Sequence, residues 1–153
     1  MSTPTVGWIG LGAMGWPMAG HLHAQGILKA VWNRSVDKAK AFVDQHPHTT
    51  LAADPVALAG EVDVVVMCVS ADQDVLGLID QLASHLRADQ IVIDHSTIAP
   101  ATAETVAQRL SDVGVSAIDA PVTGGVEGAI QGTLSVLAGG DWAAFQTVEP
   151  VLD

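Results

Sequence analysis

Gly10, Gly12 and Gly15 stand in the spacing G-x-G-x-x-G, directly after the apolar run Val6 to Ile9. Such a loop can hold a pyrophosphate. Gly10 permits a tight turn, Gly12 lets the backbone approach the phosphates where a Cβ would collide, and Gly15 lets a following helix lie close on the strand. The helix N-terminus then presents free N–H groups and a partial positive charge. The segment Gly10, Leu11, Gly12, Ala13, Met14 and Gly15 is therefore a candidate dinucleotide-phosphate loop. The same glycine pattern also occurs in ordinary turns; the strand before it and the helix after it carry the functional reading.

The ribose discriminator of such a site falls about 20 residues further on, where an acidic residue selects NAD. Here the chain has Asn33, Arg34 and Ser35. A guanidinium makes charge-assisted bonds to a 2′-phosphate and stacks on adenine, and Asn33 and Ser35 offer neutral donors. This favours NADP. NAD is the alternative, because Asp37 is close enough to pair with Arg34 or to reach a ribose.

Other reactive residue types give weaker signals. His21 and His23, and His46 and His48, form H-x-H pairs without the further ligands that zinc needs. Cys68 lies in an apolar run and reads as a buried, inert thiol. Ser96 has no suitably spaced Asp/His partners for a triad. His95 is the one histidine placed to act as a surrogate acid. Trp8, Trp16, Trp32 and Trp142 read as packing residues, Trp16 alone being a candidate for the cofactor mouth or an interface.

The elements that must position these groups alternate along the chain. Strands are expected at Thr5 to Ile9, Lys29 to Trp32, Thr49 to Ala52, Val64 to Ser70, Ile91 to Asp94, Val115 to Asp119 and Leu134 to Ala138. Helices are expected at Ala13 to about Gln25, Val36 to Gln45, Pro55 to about Ala59, Gln73 to about Leu86, Pro100 to Leu110, Val126 to Ile130 and Trp142 to about Leu152. Gly26 can end the first helix, and Asp54 can cap the third with Pro55 at its first position. Strand–helix alternation predicts a Rossmann-type α/β fold, a doubly wound and mainly parallel sheet in a single domain over residues 1–153. Ligands of such sheets sit beyond the carboxyl ends of the strands. There the chain places Gly10 to Gly12, Asn33 to Ser35, Val69 to Asp72, His95 to Thr97 and Ala120 to Gly125. The hydroxyls of Ser70, Ser96, Thr97 and Thr123 and the nearby glycines point to a site at that end.

Composition bounds the function. With 49% hydrophobic residues, the 153-residue chain can bury one substantial core. A formal net charge of −11 argues against a nucleic-acid or anionic-membrane partner. An anionic cofactor must therefore be met by locally placed donors. One cysteine permits no intrachain disulfide, and the default is a reducing, cytoplasmic setting. The first residues carry no basic leader pattern, and no apolar run approaches the roughly 18 residues of a membrane span.

Longer motifs carry a family resemblance. GWIGLGAMGWPMAGHL, VWNRSVDKA, VVVMCVSADQDV, IVIDHSTIAP and DAPVTGGVEGAIQGTLSVLAGGD follow one another along essentially the whole chain. Together they resemble the N-terminal NAD(P)-binding domain of the β-hydroxyacid dehydrogenase family, which includes 3-hydroxyisobutyrate dehydrogenase and is related to 6-phosphogluconate dehydrogenase. The resemblance implies that Gly10 to Gly15 hold the pyrophosphate and that Val69, Ser70 and Asp74 line the nicotinamide or its ribose. It implies that Thr97 contacts the nicotinamide side, and that Thr123, Gly124 and Gly125 hold a substrate carboxylate. Many members have serine at the position of Thr123; the hydroxyl is kept and the methyl trims the pocket.

The family's catalytic lysine belongs to an all-α C-terminal domain, in a G-x-x-G-x-G-x-x-x-K context beyond Asp153. Lys29, Lys38 and Lys40 do not match it, so no catalytic residue is assigned within these 153 residues. The implied activity is interconversion of a small β-hydroxyacid and its semialdehyde or ketone with NADP(H). The alternative is a non-catalytic dinucleotide-binding module, a sensor or scaffold. A homo-oligomer or a missing C-terminal domain is the expected partner, and the apolar side of the last helix, Phe145, Val148 and Val151, is the expected docking face.

Overall fold

The computed structural model describes residues 3–123, 125–132, 135–136, 139–140, 146–148 and 151–152. The first strand, β1 (Val6–Ile9), is buried along its whole length and lies at the centre of the sheet. Around it are β2 (Leu28–Trp32), β3 (Thr50–Leu51), β4 (Val64–Met67), β5 (Ile91–Asp94) and β6 (Ser116–Asp119). All five neighbouring pairs among these six strands are parallel. A seventh strand, β9 (Gly139–Gly140), adds antiparallel to β6, giving the order β3-β2-β1-β4-β5-β6-β9. The remaining strands, β7 (Val122–Thr123) and β8 (Ser135–Val136), form a separate antiparallel pair.

The helices are α1 (Gly15–Ala24), α2 (Val36–Gln45), α3 (Pro55–Ala59), α4 (Asp72–Leu82), α5 (Pro100–Asp112) and α6 (Gly125–Gln131). Strand periodicity divides the core into two layers. Val6, Trp8, Val64, Val66, Ile91 and Ile93 face α1 and α2, where Ala19, Leu22, Ala39 and Phe42 meet them. Ile9, Val65, Met67 and Val92 face α3, α4 and α5, where Leu58, Ile79, Leu82, Val106 and Leu110 meet them. Both faces of β4 and β5 are thus covered, which explains their unbroken β-branched sequences. The Asp54 carboxylate accepts from the Ala57 N–H at 2.8 Å, so α3 is capped as expected. Gly26 has φ +79° just after α1, again as expected.

Several boundaries differ from expectation. The fourth strand stops at Met67 and not Ser70. Its partner β1 ends at Ile9, where Gly10 turns away, and the Cys68 N–H makes the last bond across, to Ile9 O. Cys68 is therefore in the loop after β4, half-buried, and not within the strand. The fourth helix ends at Leu82 and tightens into a 3-10 turn at Ala83–His85. Gly139–Gly140, expected to lead into a helix, pairs with β6.

The expected docking face of the last helix is also corrected. Residues 146–148 and 151–152 are helical, but Val148 and Val151 are buried in the same core cluster as Val6 and Trp8. Their apolar side is spent on this chain's own core. Phe145, Trp142, and the ends of the strand expected over 134–138 lie outside the described residues, as does Gly124.

Candidate functional site

At the carboxyl ends of β1, β2 and β4 lies a cleft of about 470 Å³. This is the switch point of the sheet, where successive crossovers leave β1 in opposite directions. Gly10, Gly12, Asn33, Arg34, Ser35, Val69, Ser70 and Asp74 all line it.

The glycine loop is held from three sides. The Gly10 N–H donates to Trp32 O at 3.1 Å, and the Trp8 indole N–H donates to Gly10 O at 2.8 Å. Gly10 has φ +104°, and a Cβ there would overlap Cys68 O. A Cβ at Gly15 would overlap Gly10 O. Both glycines are therefore demanded by the protein itself. Gly12 is different: no protein atom lies within 4 Å of where its Cβ would point. Among the described residues the N–H groups of Gly12, Ala13 and Met14 also find no acceptor. The loop thus fits a pyrophosphate on both counts, with open space over Gly12 and unengaged donors beside it. Leu11 contributes only backbone, its side chain being fully buried.

Asn33 has a role that its sequence position did not disclose. Its Oδ1 accepts from the Leu11 N–H at 2.9 Å, and its Nδ2 donates to Ser35 O at 3.0 Å. The amide ties the glycine loop to the end of β2 through one Nδ2–H and its Oδ1, and its second Nδ2–H remains at the cleft that it lines. Ser35 precedes α2 and makes no capping bond through its hydroxyl, which leaves that group available at the cleft. Arg34 pairs with Asp74 at 3.4 Å, not with Asp37. That pairing sets Asp74 beside Arg34 on the lining of the cleft. Lys38 also lines the cleft and was missed in the sequence. It lies in the first turn of α2, just beyond Ser35.

Trp32, expected to pack, is half-buried and forms part of the cleft wall. Trp16 instead packs edge-on against Phe42, with centroids 5.0 Å apart, which removes it from the cofactor mouth.

Part of the cleft wall is the loop after β4, with Cys68, Val69 and Ser70. The Ser96 hydroxyl accepts from the Val69 N–H at 2.9 Å. Asp94 Oδ1 in turn accepts from the Ser96 N–H at 2.9 Å. Burial pushes the Asp94 carboxyl up to about 6, opposed by hydrogen bonds from the Ser96 hydroxyl and N–H and reinforced by the neighbouring Asp119 and Asp72 carboxylates. Asp72 is held below its usual value by hydrogen bonds from Thr102 first and the Ala99 N–H second. Burial pushes the Cys68 thiol up to about 11, with a further push from Asp94, so it is no nucleophile near neutral pH.

Thr97 is exposed just beyond β5 and is not among the described residues that line the cleft. Gly125 starts α6 with φ +64° and is likewise absent from that lining. Thr123 lies in β7, paired with Ser135. His95 is turned away from the cleft. Its Nδ1 and Ala120 O are 2.7 Å apart, its ring stacks on Trp8, and burial lowers its pKa. It borders a second cavity of about 300 Å³, between α1 and α6. Three of the four paired histidines bond main-chain carbonyls: His21 with Ala129, His23 with Pro47 and His46 with Phe42. Among the described residues no helix is long and apolar enough to cross a membrane.

This geometry agrees with comparisons to known proteins. Residues 5–153 match the model of the NAD-binding domain of 6-phosphogluconate dehydrogenase. An uncharacterized oxidoreductase of Shewanella frigidimarina is 39% identical over 96% of this chain and 51% of its own length. The 3-hydroxyisobutyrate dehydrogenase of Pseudomonas aeruginosa is 36% identical over 97% of this chain and 50% of its own. A solved structure of the Mycobacterium tuberculosis 3-hydroxyisobutyrate dehydrogenase with L-serine superposes with a TM-score of 0.92, at 28% identity, over 99% of this chain and 51% of that one. The chain spans about half the length of the curated relatives it matches. A glycine loop at the switch point and a match over residues 5–153 place the chain in one family: it belongs to the NAD-binding domains of 6-phosphogluconate dehydrogenase type.

Proposed function

We propose that the chain binds NADP(H) and serves an enzyme interconverting a small β-hydroxyacid and its semialdehyde or ketone. The observation that carries the cofactor choice is the convergence of Arg34, Lys38 and the Ser35 hydroxyl on one end of the cleft, at the end of β2. Two cations and a hydroxyl suit a 2′-phosphate better than a bare ribose, which needs an acceptor. Asp74 supplies such an acceptor nearby and is the reason NAD stays the second reading. A solved relative that is 36% identical, with a TM-score of 0.91 over 97% of this chain and 53% of its own, holds NADP+, which supports the first.

When bound, the nicotinamide gives or takes a hydride at the substrate carbon. The chain's residues would hold and orient it. The N–H groups of Gly12, Ala13 and Met14 meet the pyrophosphate, and Val69 and Ser70 flank the nicotinamide ribose. Thr97 lies toward the ring, and Thr123, Gly124 and Gly125 form one side of a carboxylate cradle. A proton must also move to or from the substrate oxygen. None of Lys29, Lys38 and Lys40 is placed for it: the first lies on β2 and the others on α2. These 153 residues are therefore proposed to bind the cofactor and part of the substrate without turning it over alone.

Titration of both dinucleotides, followed by tryptophan fluorescence, tests the reading; Trp32 in the cleft wall is the reporter. Arg34→Ala should weaken NADP by about 1.5–3 kcal/mol, the loss of one charged hydrogen-bonding contact, and NAD by less. Equal losses would remove the 2′-phosphate site, and no binding at millimolar dinucleotide would remove the cofactor reading altogether.

A further inference from the structure

Asp94 and Asp119 are the Cα partners at the carboxyl ends of β5 and β6, so their side chains project to the same face of the sheet. Asp94 is only 3% exposed, and Ser96 beside it 2%. Asp94 Oδ2 and Asp119 Oδ1 are both buried and have no hydrogen-bond partner among the described residues. Two in-register carboxyls, each with an unsatisfied oxygen, are a costly arrangement unless a proton is held between them. Asp94's other oxygen is engaged: it fixes Ser96, whose hydroxyl fixes Val69 in the wall of the cleft.

We propose that Asp94 is a positioning residue for the dinucleotide, holding the Cys68–Ser70 loop through Ser96 when ionised and releasing it when its proton is shared with Asp119. The proposal rests on the dinucleotide reading of the cleft. Ionised Asp94 accepts charge-assisted bonds from Ser96, which orients the hydroxyl oxygen toward the Val69 N–H. A proton on Asp94 gives Asp119 a donor and halves the strength of the pull on Ser96, since neutral acceptors bond about half as strongly as charged ones. The groups facing Asp94 are Asp119 from β6, Asp72 from α4 and the Cys68 thiol from the loop after β4. The first two repel its charge, so their presence favours protonation; the thiol is neutral in this range.

The experiment has two arms. In the first, without any nucleotide, the amide proton shift of Val69 is followed by NMR from pH 4.5 to 8. It should titrate with a midpoint at about 6 in the wild type, stay flat in Asp94→Asn, and shift to a lower midpoint in Asp119→Asn. In the second, NADPH affinity is measured over the same range. Wild-type affinity should fall by roughly fivefold between pH 7.5 and 5, the size of one hydrogen bond. Asp94→Asn and Ser96→Ala should each bind roughly fivefold more weakly than wild type at pH 7.5 and lose the pH dependence. A Val69 amide that does not titrate, or that titrates unchanged in Asp94→Asn, overturns the proposal. So does a wild-type pH profile of affinity retained in Ser96→Ala. Absence of NADPH binding by the wild type, with the Val69 titration intact, would fail the dinucleotide reading and leave the relay standing as a property of the fold.

Discussion

Arg34 and Asp74 meet across the rim of the cleft with 84% and 31% of their side chains exposed, 3.4 Å apart. Behind the same cleft, Asp94 and Ser96 are almost wholly buried and reach Val69 through bonds of 2.9 Å. The two regions use similar groups to opposite effect. Water screens the rim pair, so its energy is small and its partners can be exchanged for a ligand's charges. The buried relay is poorly screened, so every bond in it matters and every unsatisfied oxygen costs stability. Recognition is placed where charges are cheap to rearrange, and positioning where they are not.

The glycine loop that joins the two regions gives the largest test of this difference. Gly10→Ala must place a Cβ on Cys68 O at a positive φ, and should cost about 3 kcal/mol of stability in urea unfolding. Gly12→Ala faces open space. It should leave stability within about 0.5 kcal/mol while weakening dinucleotide binding by roughly tenfold or more, as overfilling a packed contact does. Equal losses of stability at the two positions would show that the loop is rigid throughout and not open toward a ligand.

The next effect comes from the floor. The Asp94 pKa is raised from 3.8 to about 6 by burial. A raised carboxyl contributes stability that is fully present below its unfolded pKa and is lost as pH rises through the folded one. Wild-type stability should therefore lose about 3 kcal/mol from this group between pH 4 and 7, and Asp94→Asn should not show that loss. Asp119, raised by burial, adds in the same direction, while Asp72, lowered by its hydrogen bonds, works against both. Unfolding curves at several pH values separate these slopes. A steeper fall in Asp94→Asn than in the wild type would contradict the burial argument.

At the rim the effects shrink. Lys38→Ala should weaken NADP by about 1 kcal/mol, less than Arg34→Ala, because a lysine meets phosphate as a point charge without Arg's fork. Asp74→Asn should change stability by about 1 kcal/mol at most, and less at high salt. If Asp74→Asn tightens NADP and weakens NAD, the rim pair is a selector between the two; if both change together, it is only a surface contact.

Much of the architecture was readable because local signals agreed. Unbroken β-branched runs marked β4 and β5, and Asp54 with Pro55 marked the start of α3. The glycine spacing marked the loop between β1 and α1. The failures share a cause: each depended on a residue distant in sequence. The end of β4 is set by where β1 turns at Gly10. The Asn33 carbonyl accepts from the N–H of Leu11, 22 residues away. Arg34's partner is Asp74, 40 residues on, and not nearby Asp37. Asp94 and Asp119 become neighbours only through strand pairing. Val148 and Val151 looked unpartnered because helical spacing names an apolar side without naming what it covers.

One end of the seven-stranded sheet carries a consequence for how copies of this chain behave at high concentration. One outer strand, β3, is two residues long. An exposed strand recruits another chain by offering a run of unpaired main-chain donors and acceptors, and the longer and flatter the run, the stronger the template. Two residues make a poor one. The β-branched strands β4 and β5, which would aggregate more readily, are kept inside, and at this border a short strand guards against amyloid-like growth.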